Sequence, residues 1–337
     1  MSQTPPAAAP AASRWNRRHL LALADLSAAE LRTLLRAAAA YVPVATRPET
    51  DTQELAGRAV ATLFFEDSTR TRTSFTLAAR RLGATVVDLS SGSSSVNKGE
   101  SLLDTARTIE AQGVSAMVVR TKQAGAAALV ARGVGCAVLN AGDGRHEHPT
   151  QGLLDLLTLA EAHGRLDAFD LAGLTLAIVG DVVNSRVARS AIAGATALGA
   201  RVVCVGPPGL APASLAALGR QGERQAGCEV SPDLDAVLPA ADAVMMLRVQ
   251  FERHEGKPDE PLRSASVPSP REFRTLYGLS EARAERLKPG AIVMHPGPMN
   301  RGLEIDGTVA DGPRSVILRQ VSRGVAVRMA TLRLCVG

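Results

Sequence analysis

The sequence predicts an α/β fold made of two doubly wound parallel-sheet domains, with an active site in the cleft between them. Three observations carry this. Short apolar runs of strand type alternate with helical segments along almost the whole chain; the alternation falls into two series joined by a long helix near residue 150; and polar residues collect directly after the strands of both series. A length of 337 residues suits two units of about 150 residues each.

The elements follow in order. "MSQTPPAAAPAAS" is Pro/Ala-rich and reads as a disordered tail over 1–14. "LSAAELRTLLRAAAAYV" from residue 26 has helical spacing, with Ser27 as N-cap. "AVATLFF" (59–65) is a strand, and 74–83 is a helix with Phe75, Ala78, Ala79 and Leu82 on one face and Gly83 at its end. Strands at 84–89, 115–120 and 136–142 alternate with helices at 100–113 and 125–133. The helix 149–164 bridges to strands at 174–180, 200–206, 241–247 and 291–297, with a helix over 185–199 and a terminal helix around "VAVRMATLRL". The polar, Pro-rich segment 248–273 reads as a surface loop whose length points to function. The expected domains are 15–149 with 320–337, and 150–319.

Aromatics are only 3% of the chain, so Ala, Val, Leu and Ile must build the cores. The charge of +5 comes mostly from scattered arginines rather than lysine runs, which suits small anions better than nucleic acid. The four cysteines form no C-x-x-C pair and read as reduced thiols of a cytoplasmic protein. Neither a secretory signal nor an apolar stretch of ~18 residues that would span a membrane is predicted.

In an open parallel sheet, ligands bind beyond the carboxyl ends of the strands. After the first strand comes "EDSTRTR", in which Ser68 to Thr71 would form the first turn of a helix. Free backbone N–H groups, the helix dipole, three hydroxyls and the Arg70 fork would make a phosphate cradle; a capped helix with solvent-facing arginines is the plainer alternative. Later strand ends carry Arg120, then Asn140 to Gln151, Asp181 to Arg186, Arg248 with Gln250 and Arg253, and His295 to Pro298. His146 and His148 lack the further ligands of a metal site. "IVGDVVNSR" has valines where a dinucleotide loop needs glycine, so NAD is disfavoured. With neither a Walker loop nor a nucleophile elbow, the chemistry that fits is one of cations and hydrogen-bond donors, such as transfer from an acyl phosphate to an amine.

Six motifs in order, "STRTR", the Ser-rich loop ending in "KGE", "NAGDG…HPTQ", "GD…SR", "LRVQ…R" and "HPGP", resemble the aspartate carbamoyltransferase family within the aspartate/ornithine carbamoyltransferase superfamily. The resemblance spans all but the N-terminal dozen or so residues. It implies transfer of the carbamoyl group of carbamoyl phosphate to L-aspartate in pyrimidine biosynthesis, with no metal or cofactor. By the same resemblance, Ser68, Thr69, Arg70, Thr71 and Arg120 hold the phosphate, and Thr71, Arg120 and His148 polarise the carbamoyl oxygen. Gln151 meets the carbamoyl amine. Arg186, Arg248 and Gln250 bind aspartate, with Gly297 and Pro298 offering carbonyls. Ser94 and Lys98 come from a neighbouring subunit, Lys98 also serving catalysis and aspartate, which implies a homotrimer with shared sites. Glu66 and Arg253 are implied to pair when the domains close. The domain 15–149 with 320–337 then binds carbamoyl phosphate and 150–319 binds aspartate. "HPGPMNRG" departs from the family's "HPLPR", and the N-terminal extension is similar to that of members assembling with a dihydroorotase-like partner; a regulatory subunit is the other partner implied.

Overall fold

A computed structural model describes residues 15–47, 51–90, 100–219, 227–249 and 268–337. The first sheet has four parallel strands in the order β2-β1-β3-β4: β1 (Ala59–Phe64), β2 (Thr85–Ser90), β3 (Ala116–Thr121) and β4 (Ala137–Asp143). Helices α1 (Ala28–Ala45), α2 (Thr69–Arg81), α3 (Leu102–Ala111), α4 (Ala126–Gly133) and α5 (Pro149–Ala162) precede, connect or follow these strands. Ser27 caps α1 in a capping box with Glu30, satisfying two otherwise orphan donors. The strands are buried on both faces, and alternate residues go opposite ways. Val60, Phe64, Val118 and Leu139 pack on Phe75, Ala78 and Ala79 of α2. Ala61, Leu63, Met117 and Val138 pack on Ala106, Ile109 and Val130 of α3 and α4.

The second sheet has five parallel strands in the order β7-β6-β5-β8-β9: β5 (Thr175–Val179), β6 (Arg201–Val205), β7 (Cys228–Ser231), β8 (Ala243–Met246) and β9 (Ile292–Met294). Its helices are α6 (Arg186–Ala197), α7 (Leu234–Val237), α8 (Pro270–Tyr277), α9 (Glu281–Glu285), α10 (Gly307–Ala310) and the terminal α11 (Ile317–Val336). Leu176, Ile178 and Met245 face α5 and α6, while Ala177, Val179 and Met246 face Phe273 and Tyr277 of α8. Helix α11 returns to the first sheet, packing on α1, α2 and α5.

Three expectations differ from the structure. Strand β9 stops at Met294, because Pro296 and Pro298 cannot donate to a ladder. Residues 270–273, read as loop, begin α8 through a capping box of Ser269 and Glu272 with Pro270 at the first helical position. Edge strand β7 escaped the sequence reading, being only four residues long with one side half exposed. Among the described residues no helix is long and apolar enough to cross a membrane. The tail 1–14 lies outside the described residues.

Candidate active site

The carboxyl ends of both sheets open into one cleft of about 980 Å³. Ser68, Thr69, Arg70, Thr71, Arg120, His148 and Gln151 line it from the first sheet's side. Arg186, Arg248, Gly297 and Pro298 line it from the second. The structure therefore brings these eleven predicted residues together. Gln250 and Arg253, and the subunit-crossing residues Ser94 and Lys98, lie outside the described residues.

Helix α2 begins at Thr69 with Ser68 in the N-cap position, and the Ser68 hydroxyl makes no capping hydrogen bond. The first-turn N–H groups of a helix have no intrahelical acceptor and carry its positive dipole end. An N-cap side chain not folded back on them leaves both available to an anion. Thr71 is buried under this turn. Arg72 turns the other way, 3.8 Å from Asp88 on β2, and does not line the cleft.

Arg70 reaches across the cleft to the second domain. A Cβ added to Gly297, whose φ is +67°, would sit 2.8 Å from Arg70 Nη1. Burial holds the Arg70 guanidinium below its usual range. Gly297 thus has a reason to lack a side chain.

Glu66, just past β1, is the anionic hub of the site. Its Oε1 takes Arg120 Nη2 at 3.0 Å and Arg186 Nη2 at 2.5 Å, and its Oε2 takes Arg186 Nη1 at 2.8 Å. Arg120 Nη1 also donates to the Ala141 carbonyl at 3.0 Å. Burial first, then Arg186, pushes Arg120 down to about 10, with Glu66 opposing. Gly142 separates the two guanidiniums: a Cβ there would lie 2.9 Å from Arg186 Nε and 3.1 Å from Arg120 Nη1.

His148 is the N-cap of α5, and Pro149 occupies the first helical position. Its backbone N–H donates to Ser190 Oγ at 2.9 Å, and Ser190 in turn donates to Glu147 at 2.8 Å. Upstream, Asn140 and Asp143 hold the β4–α5 turn through a 2.8 Å side-chain bond. The imidazole is 4% exposed and its Nδ1 has no partner among the described residues. Burial, then Arg120, Arg328 and Arg186, hold its pKa well below 6.5, so His148 is neutral.

The loop after β9 is tied down from within. Gly297 N–H donates to His295 Nδ1 at 2.8 Å, which leaves Nε2 as the protonated nitrogen facing buried Glu304 at 3.2 Å. The Gly297–Pro298 peptide is cis.

Sequence reasoning passed over Arg328, Asp155 and Gln320. Arg328 is 4% exposed, lies 5.1 Å from the centre of the Phe75 ring and lines the cleft. Burial, then Arg120, pushes it down to about 9. Burial pushes Asp155 up to about 7, against hydrogen bonds from Gln320 and Gln151. An arginine at "VAVRM" and an aspartate at "GLLDLL", each inside an apolar helical run, were the available signals. Burying a charge in such a run is expensive unless it is paired and hydrogen-bonded, so each marks a polar cluster inside the fold.

Two family models cover most of the chain. Residues 18–161 match the aspartate/ornithine carbamoyltransferase, carbamoyl-P binding domain, and residues 172–335 match the Asp/Orn binding domain of the same family. The chain belongs to the aspartate/ornithine carbamoyltransferase family. Within that family it is 55% identical to the aspartate carbamoyltransferase catalytic subunit of Myxococcus xanthus over 318 residues, 94% of this chain and 99% of that one. It is similar to aspartate transcarbamoylase from Trypanosoma cruzi in complex with N-(phosphonacetyl)-L-aspartic acid, with a TM-score of 0.81 and 31% identity over 96% of this chain and 97% of that one. Ornithine carbamoyltransferase from Gloeobacter violaceus superposes with a TM-score of 0.76 at 29% identity over 96% of this chain and all of the other. The family fold therefore does not choose the amine substrate.

Proposed function

We infer that the chain is an aspartate carbamoyltransferase: it transfers the carbamoyl group of carbamoyl phosphate to the amine of L-aspartate, giving N-carbamoyl-L-aspartate and phosphate. The observation that carries this is a single cleft joining a helix N-terminus and Arg70 to Arg120, Arg186 and Arg248. One phosphate and two carboxylates call for such a set of cations, and the guanidinium fork matches both groups. Ornithine offers one carboxylate and a cationic chain, which this cleft would repel.

In the reaction the neutral amine nitrogen bonds to the carbamoyl carbon, the carbon–oxygen bond to phosphate breaks, and the proton shed by the amine goes to the departing phosphate. Ser68, Thr69, Arg70 and Thr71 hold the leaving phosphate. Arg120, Thr71 and the neutral His148 stabilise charge growing on the carbamoyl oxygen, where fixed donors in a dry site lower the barrier most. Gln151 meets the carbamoyl NH2. Arg186 and Arg248 take the aspartate carboxylates with Gln250, and the Gly297 and Pro298 carbonyls face the amine. Glu66 and Arg253 act in domain closure. Residues 15–149 with 320–337 bind carbamoyl phosphate and 150–319 bind aspartate.

The active unit is a homotrimer in which Ser94 and Lys98 enter a neighbour's site. It works in the cytoplasm, in pyrimidine biosynthesis; four cysteines with no C-x-x-C pair among them support a reducing compartment.

A colorimetric ureido assay with aspartate and with ornithine tests the reaction, and product from ornithine alone sinks it. Arg120→Ala should cost about 2.7–4 kcal/mol of transition-state stabilisation. Mixing Lys98→Ala and Arg70→Ala chains should restore activity if sites are shared; hybrid trimers without activity remove that part.

A further inference from the structure

Asp155 touches no group assigned above except Gln151. It is 2% exposed, one turn after Gln151 on α5. Its Oδ1 takes two donors, Gln151 Nε2 at 2.9 Å and Gln320 Nε2 at 2.8 Å. Its Oδ2 is buried with no partner among the described residues. An ionised carboxylate can only accept, so each glutamine must turn its NH2 inward and keep its Oε1 for something else. For Gln320 that something is on view: Oε1 accepts the His295 backbone N–H at 2.9 Å, at the start of the loop that carries Gly297 and Pro298. For Gln151, which lines the cleft, Oε1 is the end left for a ligand. A carbamoyl NH2 is a pair of donors and needs such an acceptor.

We propose that Asp155 is a positioning residue: it locks the Gln151 carboxamide with its oxygen toward the carbamoyl NH2 and, through Gln320, seats the His295–Pro298 loop on the aspartate side. One buried carboxylate then sets both halves of the site. A glutamine without this anchor can present its own NH2 to the ligand's NH2, a donor against donors. This inference rests on the assignment of Gln151 to the carbamoyl amine.

The test compares binding of carbamoyl phosphate with that of acetyl phosphate, which carries a methyl group where the NH2 stands. Measurements are made near pH 8, above the value of about 7 at which Asp155 ionises. Asp155→Leu should weaken carbamoyl phosphate about tenfold, the effect of losing one buried hydrogen bond, and leave acetyl phosphate unchanged within about twofold. Equal weakening of both ligands, or none of either, overturns the proposal, since a merely structural aspartate would not distinguish NH2 from CH3. Where Asp155→Leu does not fold, the isosteric Asp155→Asn replaces it. An asparagine pairs with either end of a carboxamide, so the preference for carbamoyl phosphate should fall about threefold or more, and a full preference in that variant overturns the proposal. Gln151→Leu separates the two levels. Full preference in that variant removes the Gln151 assignment itself, whereas preference lost there and kept in the Asp155 variants removes Asp155 alone.

Discussion

Glu66 grips Arg186 with both carboxylate oxygens, Oε2 to Nη1 at 2.8 Å and Oε1 to Nη2 at 2.5 Å. That is the geometry in which a guanidinium binds any carboxylate, including a substrate's. The same Oε1 also takes Arg120 at 3.0 Å. The cations proposed for the two substrates thus share one protein anion, and a bound aspartate must compete with Glu66 for Arg186 or displace it.

Without that anion, Arg120, Arg186 and the nearby Arg328 would repel one another in a partly dry cleft. Glu66→Gln should therefore destabilise the unliganded protein by roughly 1–3 kcal/mol, between the exposed and fully buried limits for ion pairs. Inorganic phosphate should recover part of the loss, because an anion bound to the folded state alone stabilises it. Thermal melts with and without phosphate read both effects. Wild-type melting of the variant in phosphate-free buffer would contradict the hub role.

His148 should stay neutral across about pH 6 to 8, where an ordinary histidine titrates. Burial and three guanidiniums all act in one direction, favouring loss of its proton. Its NMR ring signals should show no titration in that window, and activity should show no inflection lost in His148→Gln. A ring titrating near 6.5 would mean that the imidazole is far wetter than the fold implies.

Much of this site was legible because a parallel sheet sends every strand's carboxyl end to one edge. Given the strand at 59–65, the place of Ser68 to Thr71 followed, as did Arg120 and His148 from their own strands. Pairings across that edge were not legible. The sequence places Glu66 and Arg186 after different strands, 120 residues apart, and only the relative placing of the two sheets makes them partners. Arg328 was hidden for another reason. Helical periodicity shows which residues of α11 share a face, but not that α11 folds back from the second sheet to close the floor of the cleft.

Gly142 should not tolerate a methyl group. Its φ is +116°, and an added Cβ would press on Arg186 Nε and Arg120 Nη1 together. Gly142→Ala therefore combines backbone strain on the order of 1 kcal/mol with displacement of both arginines. Carbamoyl phosphate and aspartate should both bind at least about tenfold more weakly, each guanidinium having lost its fork geometry. Binding constants for each ligand decide this, and a loss confined to stability would show that the arginines readjust.

Asp155 should make stability depend on pH in a stated direction. Free aspartate titrates at 3.8, whereas burial in the fold raises Asp155 to about 7. The fold therefore favours the protonated form. Its contribution is fully present below about pH 4 and is lost as the pH rises through 7. The gap corresponds to about 4 kcal/mol at most. Burial pushes Arg328, the neighbouring cation, down only to about 9, so it keeps its charge through this window. Asp155→Asn carries no ionisable proton, so its stability relative to wild type should climb between about pH 4 and pH 8 and level off above. Urea unfolding of both proteins at several pH values measures the difference directly. Parallel curves would mean that Asp155 ionises in the fold as easily as in the unfolded chain, and that the cleft floor around Arg328 is open to water.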